Sequence, residues 1–412
     1  MADSSLNCHS NDFEDTMIMY KKEANAVVSF NIVYEKQDVI QPVLTFKPVM
    51  SHQIFGENEC IFGYRSLAID LYYLHNSAKC YVNVSSSGIV ESDVYKPDNI
   101  MECLNPWLPE NFTTNKEEFI KLIKEESHDV IFGKVLHTFT AKGKFHLHPK
   151  TQVNVTYKIT QCDLKDENFK MFHSRFETYV IWFIDGANYI DLADPKWEIF
   201  YVYEEKKSPQ TQQLYVTPVG FCTVYKFYSY PQNIRSRISQ FFILPTHQKR
   251  GIGTELYKTV FKVFLEDPIC TDITVEEPTS TFQKIRDIHD CCLVNSQLRA
   301  KEMSILSTPV KTVFEIVKKQ KLCKKQCQRV YDILCGFEAF PFKQSYDQFL
   351  TKINKRIQNE VKDKMKTAKR MRNQQGEAVS ILLDQNAIAE AEFKRYKEDL
   401  EMAIKYIGNV FC

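Results

Sequence analysis

The stretch Gln248-Lys249-Arg250-Gly251-Ile252-Gly253 constrains this chain more than any other. It follows Arg237 to Leu244, which reads as an apolar strand, and it enters Gly251 to Leu265. There Ile252, Leu256, Val260, Phe261 and Phe264 recur at helical spacing. Two glycines one residue apart let the backbone turn tightly and bring successive N–H groups close to a ligand. The following helix adds its unpaired first-turn amides and a partial positive charge. Such a strand-loop-helix junction can cradle a pyrophosphate, with Lys249, Arg250 and Thr254 nearby; it can also be a plain turn. It is neither a Walker loop nor a G-x-G-x-x-G dinucleotide fingerprint.

The surrounding order supports a mixed sheet. Trp197 to Glu204, Gln213 to Ser229 and Arg237 to Leu244 read as strands, then come the helix, the short β-branched strand Asp272 to Glu276, and a helix opened by Thr279. Upstream, Ala26 to Tyr34, Ile61 to Tyr73, Lys79 to Val84, Val135 to Phe139 and Val153 to Ile159 are strand-like, and Lys116 to Glu126 is helical. Phe169 to Ile190 keeps helical spacing with an aromatic face suited to packing under a sheet. Beyond Ser304, Val310 to Gln320, Lys324 to Phe337, Ser345 to Met371 and Val379 to Ile407 read as helices of a small bundle, broken at Pro341 and Gly376.

Charge divides unevenly. Residues 301–412 carry 22 Lys+Arg against 14 Asp+Glu, and residues 1–300 carry 31 against 38. An acidic larger part suits a cationic substrate, and it is equally what a solvated surface looks like. The basic run Lys362 to Arg372 fits a localisation or nucleic-acid patch or a solvated helix face; without interleaved aromatics, direct nucleic-acid binding is not expected. The longest apolar run, Tyr179 to Ile184, cannot cross a bilayer, and the polar start Met1 to Asp15 lacks a secretory signal, so a soluble intracellular protein without membrane contact is expected. The thirteen cysteines are then expected as reduced thiols. Cys323 and Cys327 could share a helix face and His146 and His148 a strand face, but neither pair has a partner pair at zinc spacing, so no metal is expected.

The pattern Q-x-x-G-x-G between strand and helix resembles the acetyl-CoA signature of the GNAT N-acetyltransferase superfamily. Within it, several blocks look like the type B histone acetyltransferase catalytic subunits. They include Ser239 to Leu244, Asp272 to Pro278, Lys284 to Asp287, Phe62 to Tyr64, Gly133 to Thr138, Trp182 to Ile184 and Arg329 to Leu334. The resemblance implies an α+β chain: an N-terminal mixed α/β domain (1–135), a central GNAT domain with a mixed twisted sheet flanked by helices (136–304), and a C-terminal helical bundle (305–412).

It also implies roles. Phe241, Phe242 and Ile243 would hold the pantetheine arm of acetyl-CoA through the backbone, residues 248–254 its pyrophosphate, and Phe282 and Ile288 would add cofactor contacts. Glu276 falls on the family's general base. Glu277 stands where an aspartate is usual and Asp185 where a glutamate is common, both supporting carboxylates. Histone-tail contacts would map to Asn58, Glu59, Cys60, Trp197, Tyr225, Lys226 and Phe227. The implied substrate is the tail of free histone H4, together with histone H3, and the implied partner a WD-repeat histone-binding subunit, in cytoplasm and nucleus. A GNAT enzyme for another amine and a histone-binding scaffold are the competing readings.

Overall fold

The computed structural model describes residues 18–92, 94–145, 148–208, 211–375 and 385–411. Met1 to Asp15, the side chains of His146 and His148, and the Gly376 break lie outside them. The chain forms two compact units: residues 1–227 with 237–260, and residues 228–236 with 261–412. The division falls inside one strand, Asn233–Ile243, between Ser236 and Arg237.

The first unit contains two principal sheets. In the smaller, the order is Leu44–Phe46, Val28–Val33, Ala68–Leu74, Cys80–Ser85. Val28–Val33 runs parallel to Ala68–Leu74, with Phe30 opposite Leu71, and the other pairings are antiparallel. One core gathers Val33, Val39, Tyr72, Leu74 and Tyr81 around Phe119 and Ile123 of the helix Lys116–Glu125. Asn115 starts that helix by accepting from the Glu117 and Glu118 amides, filling two of its orphan donors.

In the larger sheet, Lys134–Phe145, His148–Cys162, Trp197–Lys207 and Leu214–Ser229 lie side by side, followed by the 237–243 part of the next strand. Leu214–Ser229 is buried from Tyr215 through Val224, which marks it as a central strand. Gly220 pairs with Val202 and Pro218 with Tyr203, so Val219 is an extra residue, a bulge.

Between the sheets lies an aromatic helical segment. Asp166 caps Glu167–Phe176, whose Phe169, Phe172, His173 and Phe176 are buried at i, i+3, i+4 and i+7. A 3-10 turn, Glu177–Tyr179, and a short helix, Val180–Phe183, continue it. Tyr179, Trp182 and Phe183 meet Phe30 of the small sheet, while Phe176 and Tyr179 meet Tyr201, Phe221 and Phe242 of the large one. The expected helix to Ile190 is too long. Ile184 is already extended and Gly186 has φ +65°, so the chain turns out there despite the apolar spacing of Ile184, Ala187 and Ile190. This exit loop carries Asp185.

Inside this segment sits a buried polar group. His173 Nδ1 lies 2.7 Å from the Tyr201 hydroxyl and its Nε2 lies 3.6 Å from Glu177 Oε2. Burial lowers the imidazole to about 3 and pushes the Glu177 carboxyl up to about 8, so both are neutral near pH 7.

In the second unit, Cys270–Val275 runs beside residues 233–236: Ile234 donates to the Ile269 carbonyl, and Arg235 forks onto Asp272 at 2.6 and 2.9 Å. Thr279 caps the helix Ser280–Arg299 by accepting from the Phe282 amide. Four further helices follow: Val310–Lys319, Lys324–Ala339, Lys343–Gln375 and Gln385–Phe411. They are tied by buried charge. Asp287 accepts from Arg329 at 2.7 Å and from the Tyr406 hydroxyl at 2.7 Å, and Asp332 accepts from Arg356 at 2.7 Å. Cys323 and Cys327 do not share a helix face, because Cys323 is the extended residue before Lys324–Ala339. Among the described residues, no helix is long and apolar enough to cross a membrane.

Candidate active site

The glycine loop has the conformation its sequence asks for. Lys249 and Gly251 take φ +60° and +81°, and a side chain at Gly251 would meet nothing within 4 Å, so the loop is open on that side. The Glu255 amide donates to the Gly251 carbonyl at 3.1 Å and opens the helix Ile252–Glu266. By helix geometry, the amides of Ile252, Gly253 and Thr254 therefore have no acceptor within the helix. Gln248 turns its amide back onto the Ile243 carbonyl at 2.9 Å, and Arg250 binds the Thr246 carbonyl at 2.7 Å. Gln248, Lys249, Arg250 and Gly251 are exposed. Free amides, a helix N-terminus and two exposed cations suit a pyrophosphate.

Behind the loop, Phe242 and Ile243 are buried and Phe241 is half-buried. Their strand approaches its neighbour closely at one point. A Cβ on Gly220 would lie 2.4 Å from the Phe242 carbonyl oxygen and 3.1 Å from Ile243 Cα. Gly220 was missed from sequence, although Pro218 and Gly220 inside a strand pattern are a legible bulge signal.

Four of the expected histone contacts come together. Trp197 pairs with Tyr225 across the ladder, their rings 4.8 Å apart and edge to face, and Phe227 stands 4.7 Å beyond Tyr225. The Arg237 guanidinium lies 4.7 Å over the Phe227 ring. Lys226 pairs with Glu198 at 2.8 Å, and the Tyr225 hydroxyl donates to Asp194 at 2.9 Å. The Lys196 amide beside Asp194, with that hydroxyl, holds its carboxyl below the usual carboxylate range. Asp194, Glu198 and Arg237 were not singled out from sequence.

Asn58, Glu59 and Cys60 belong to a second group. Asn58 is exposed, Cys60 is half-buried in the strand Cys60–Phe62, and Glu59 turns inward at φ +48°. Glu59 accepts from the Ser51 amide, the His52 amide at 3.1 Å and the Asn25 side chain at 2.8 Å. His52 Nε2 lies 3.1 Å from the exposed Asp185 carboxylate, so His52 stands between Glu59 and Asp185.

The remaining candidates lie in the second unit. Glu276 and Glu277 are exposed and follow Cys270–Val275, Glu277 with φ +31°. Phe282 is buried and Ile288 half-buried on Ser280–Arg299. Among the described residues, no cluster of His, Cys, Asp and Glu could hold a metal.

Two family models match the chain: the N-terminus of the histone acetyl transferase HAT1 over residues 20–185, and the acetyltransferase (GNAT) family over residues 163–280. The human histone acetyltransferase type B catalytic subunit is 33% identical over 326 residues, which cover 78% of this chain and 76% of that protein. The chain belongs to the type B histone acetyltransferase catalytic subunits. Relatives bearing that name in Candida albicans (29% identical, covering 80% of this chain and 83% of theirs) and Dictyostelium discoideum (28%, covering 78% and 69%) extend the match. As a type B catalytic subunit, this protein is a histone acetyltransferase with a GNAT fold, and GNAT enzymes use acetyl-CoA.

Solved structures share much less with it. The NatC complex bound to Gag peptide and CoA is 13% identical, covering 32% of this chain and 81% of that one with a TM-score of 0.23. An aminoglycoside acetyltransferase from a soil metagenomic sample is 16% identical, covering 32% and 84%, with a TM-score of 0.22. Likenesses this slight place no residue.

Proposed function

We propose that this type B catalytic subunit transfers acetyl from acetyl-CoA to lysines in the N-terminal tail of free, newly made histone H4. The observation that carries the reading is the open Gln248–Thr254 loop at the start of Ile252–Glu266, with its free amides and two exposed cations. Residues 241–243 would hold the pantetheine arm, and Phe282 and Ile288 would add contacts. Trp197, Tyr225, Lys226 and Phe227, with Asn58, Glu59 and Cys60, would receive the tail.

Glu276 is the general base in this reading. A lysine with its ordinary pKa near 10.4 is protonated at pH 7, and freeing its amine costs about 4.6 kcal/mol. The carboxylate accepts that proton directly or through one water. The amine nitrogen then bonds to the acetyl carbon, the carbon–sulfur bond breaks, and coenzyme A leaves as the thiolate. Glu277 and Asp185 would add negative potential that draws in the cationic side chain. The chain would work with histone H3 alongside H4 and with a WD-repeat histone-binding subunit, in cytoplasm and nucleus, without metal, membrane or direct nucleic-acid contact.

Labelled acetyl-CoA and free core histones test the substrate. Selective labelling of histone H4 is expected, and equal labelling of polyamines would sink the assignment. Glu276→Gln should lower kcat about 10²–10⁴-fold while coenzyme A still binds; full turnover would remove Glu276 from the chemistry.

A further inference from the structure

A buried charged group lies at the root of the glycine loop. On Trp197–Lys207, Glu204 and Lys206 are two positions apart and share one face, 1% and 6% exposed. His247, 2% exposed, ends the 3-10 turn Pro245–His247 and directly precedes Gln248. Glu204 Oε1 lies 2.5 Å from Lys206 Nζ and 3.2 Å from His247 Nε2, and Oε2 accepts from the Tyr157 hydroxyl at 2.8 Å. The other imidazole nitrogen lies 2.9 Å from the Thr246 hydroxyl. Burial works against the Glu204 charge, but His247 and Lys206 outweigh it and hold the carboxyl far below the carboxylate range.

Neutralising Glu204 would need only Lys206. His247 is an additional partner, and its backbone is the foot of the loop. Of the other side-chain ties there, Gln248 reaches Ile243, and Arg250 reaches Thr246 and the Tyr157 side chain. The imidazole spans to another strand of the sheet, at a residue that buried charge holds in place. Such an anchor fixes where the free amides of residues 252–254 point before a ligand arrives, which lowers the cost of ordering them on binding.

We propose that His247, held by Glu204, is a positioning residue for the pyrophosphate of coenzyme A. The proposal rests on the reading that residues 248–254 hold that group. It differs from a merely structural role in one respect: its effect should depend on whether the acyl donor has a pyrophosphate.

The test uses the full chain and His247→Phe, which keeps a flat ring and removes the polar tie. Calorimetric affinity for coenzyme A should fall about tenfold and KM for acetyl-CoA rise to match, with kcat at saturation and KM for the histone changing far less. S-acetyl-pantetheine, which lacks the pyrophosphate, should serve both proteins equally well. Gly251→Val is the control for the loop itself. If Gly251→Val weakens coenzyme A binding and His247→Phe does not, the positioning role is wrong and the loop reading stands. If neither weakens it, the loop reading falls and takes this proposal with it. A loss of kcat with both donors alike would also overturn it. Should His247→Phe fail to fold, His247→Gln keeps a polar side chain there and removes the imidazole that reaches Glu204. Amide exchange across residues 248–254 should then be faster in the coenzyme-free protein, and unchanged exchange refutes the proposal.

Discussion

Gly220→Ala gives a direct reading of how tightly the cofactor strand is held. An added methyl would sit 2.4 Å from the Phe242 carbonyl oxygen, 2.5 Å from Ile243 Cδ1 and 3.1 Å from Ile243 Cα. Ile243 Cδ1 ends a flexible side chain and can turn aside. The Phe242 oxygen and Ile243 Cα are backbone, and ordinary contact needs about 3.4 Å, so the strands must part by about 1 Å. Overpacking of this kind costs about 1–3 kcal/mol, and the adjoining Leu244 N–H to Val219 carbonyl bond, 2.8 Å long, is strained with it. Because residues 241–243 are proposed to hold the pantetheine arm, a displacement of about 1 Å should also cost up to about 10²-fold in kcat/KM for acetyl-CoA. Urea unfolding reads the first effect and initial rates at varied acetyl-CoA read the second. A variant that melts at the wild-type urea midpoint and turns over at the wild-type rate would refute both the close approach and the role given to this strand.

Two further outcomes follow from the described geometry. Glu177, raised to about 8, keeps a proton in the folded chain that the unfolded chain loses, so its contribution to stability declines as pH rises toward 8. His173, lowered from 6.5 to about 3, acts oppositely and only below 6.5, where the two largely cancel. Denaturant titrations should therefore show wild-type stability falling by about 2 kcal/mol from pH 6.5 to 8, and Glu177→Gln should abolish that slope; an unchanged slope would place it elsewhere. Trp197→Ala removes the first ring of the edge-to-face series and should weaken binding of a histone H4 tail peptide by about 2 kcal/mol, near thirtyfold, with coenzyme A affinity intact. Equal peptide affinity would exclude the cluster as the tail's landing place.

Much of this was legible because local chemistry and global fold agree. The glycine loop reads correctly because only a backbone free to take positive φ can turn at Gly251. The strands around it read correctly because burial imposes their patterning, and Leu214–Ser229 runs the length expected from its apolar stretch. The residues past Phe183 misled, since Ile184, Ala187 and Ile190 keep helical spacing while the backbone leaves the helix at Ile184 and turns at Gly186. Spacing records which side chains are apolar, and it is blind to a chain that turns between them. Buried charge was the least visible. Glu204 and Lys206 sit in a Glu-Glu-Lys-Lys run that resembles an exposed strand end, and what buries them, His247 included, lies some forty positions away. Partners that distant leave no periodic trace in a single sequence.

The Asp287 site has a consequence for any late interruption of the reading frame. This aspartate is fully buried on the same helix as Phe282 and Ile288, and its partners Arg329 and Tyr406 are contributed 42 and 119 positions downstream. A stop codon anywhere between those two partners would keep the Arg329 pair and take away the Tyr406 hydroxyl that Asp287 accepts from. The final helix, to which no catalytic role is given, is thereby tied to the helix that carries Phe282 and Ile288.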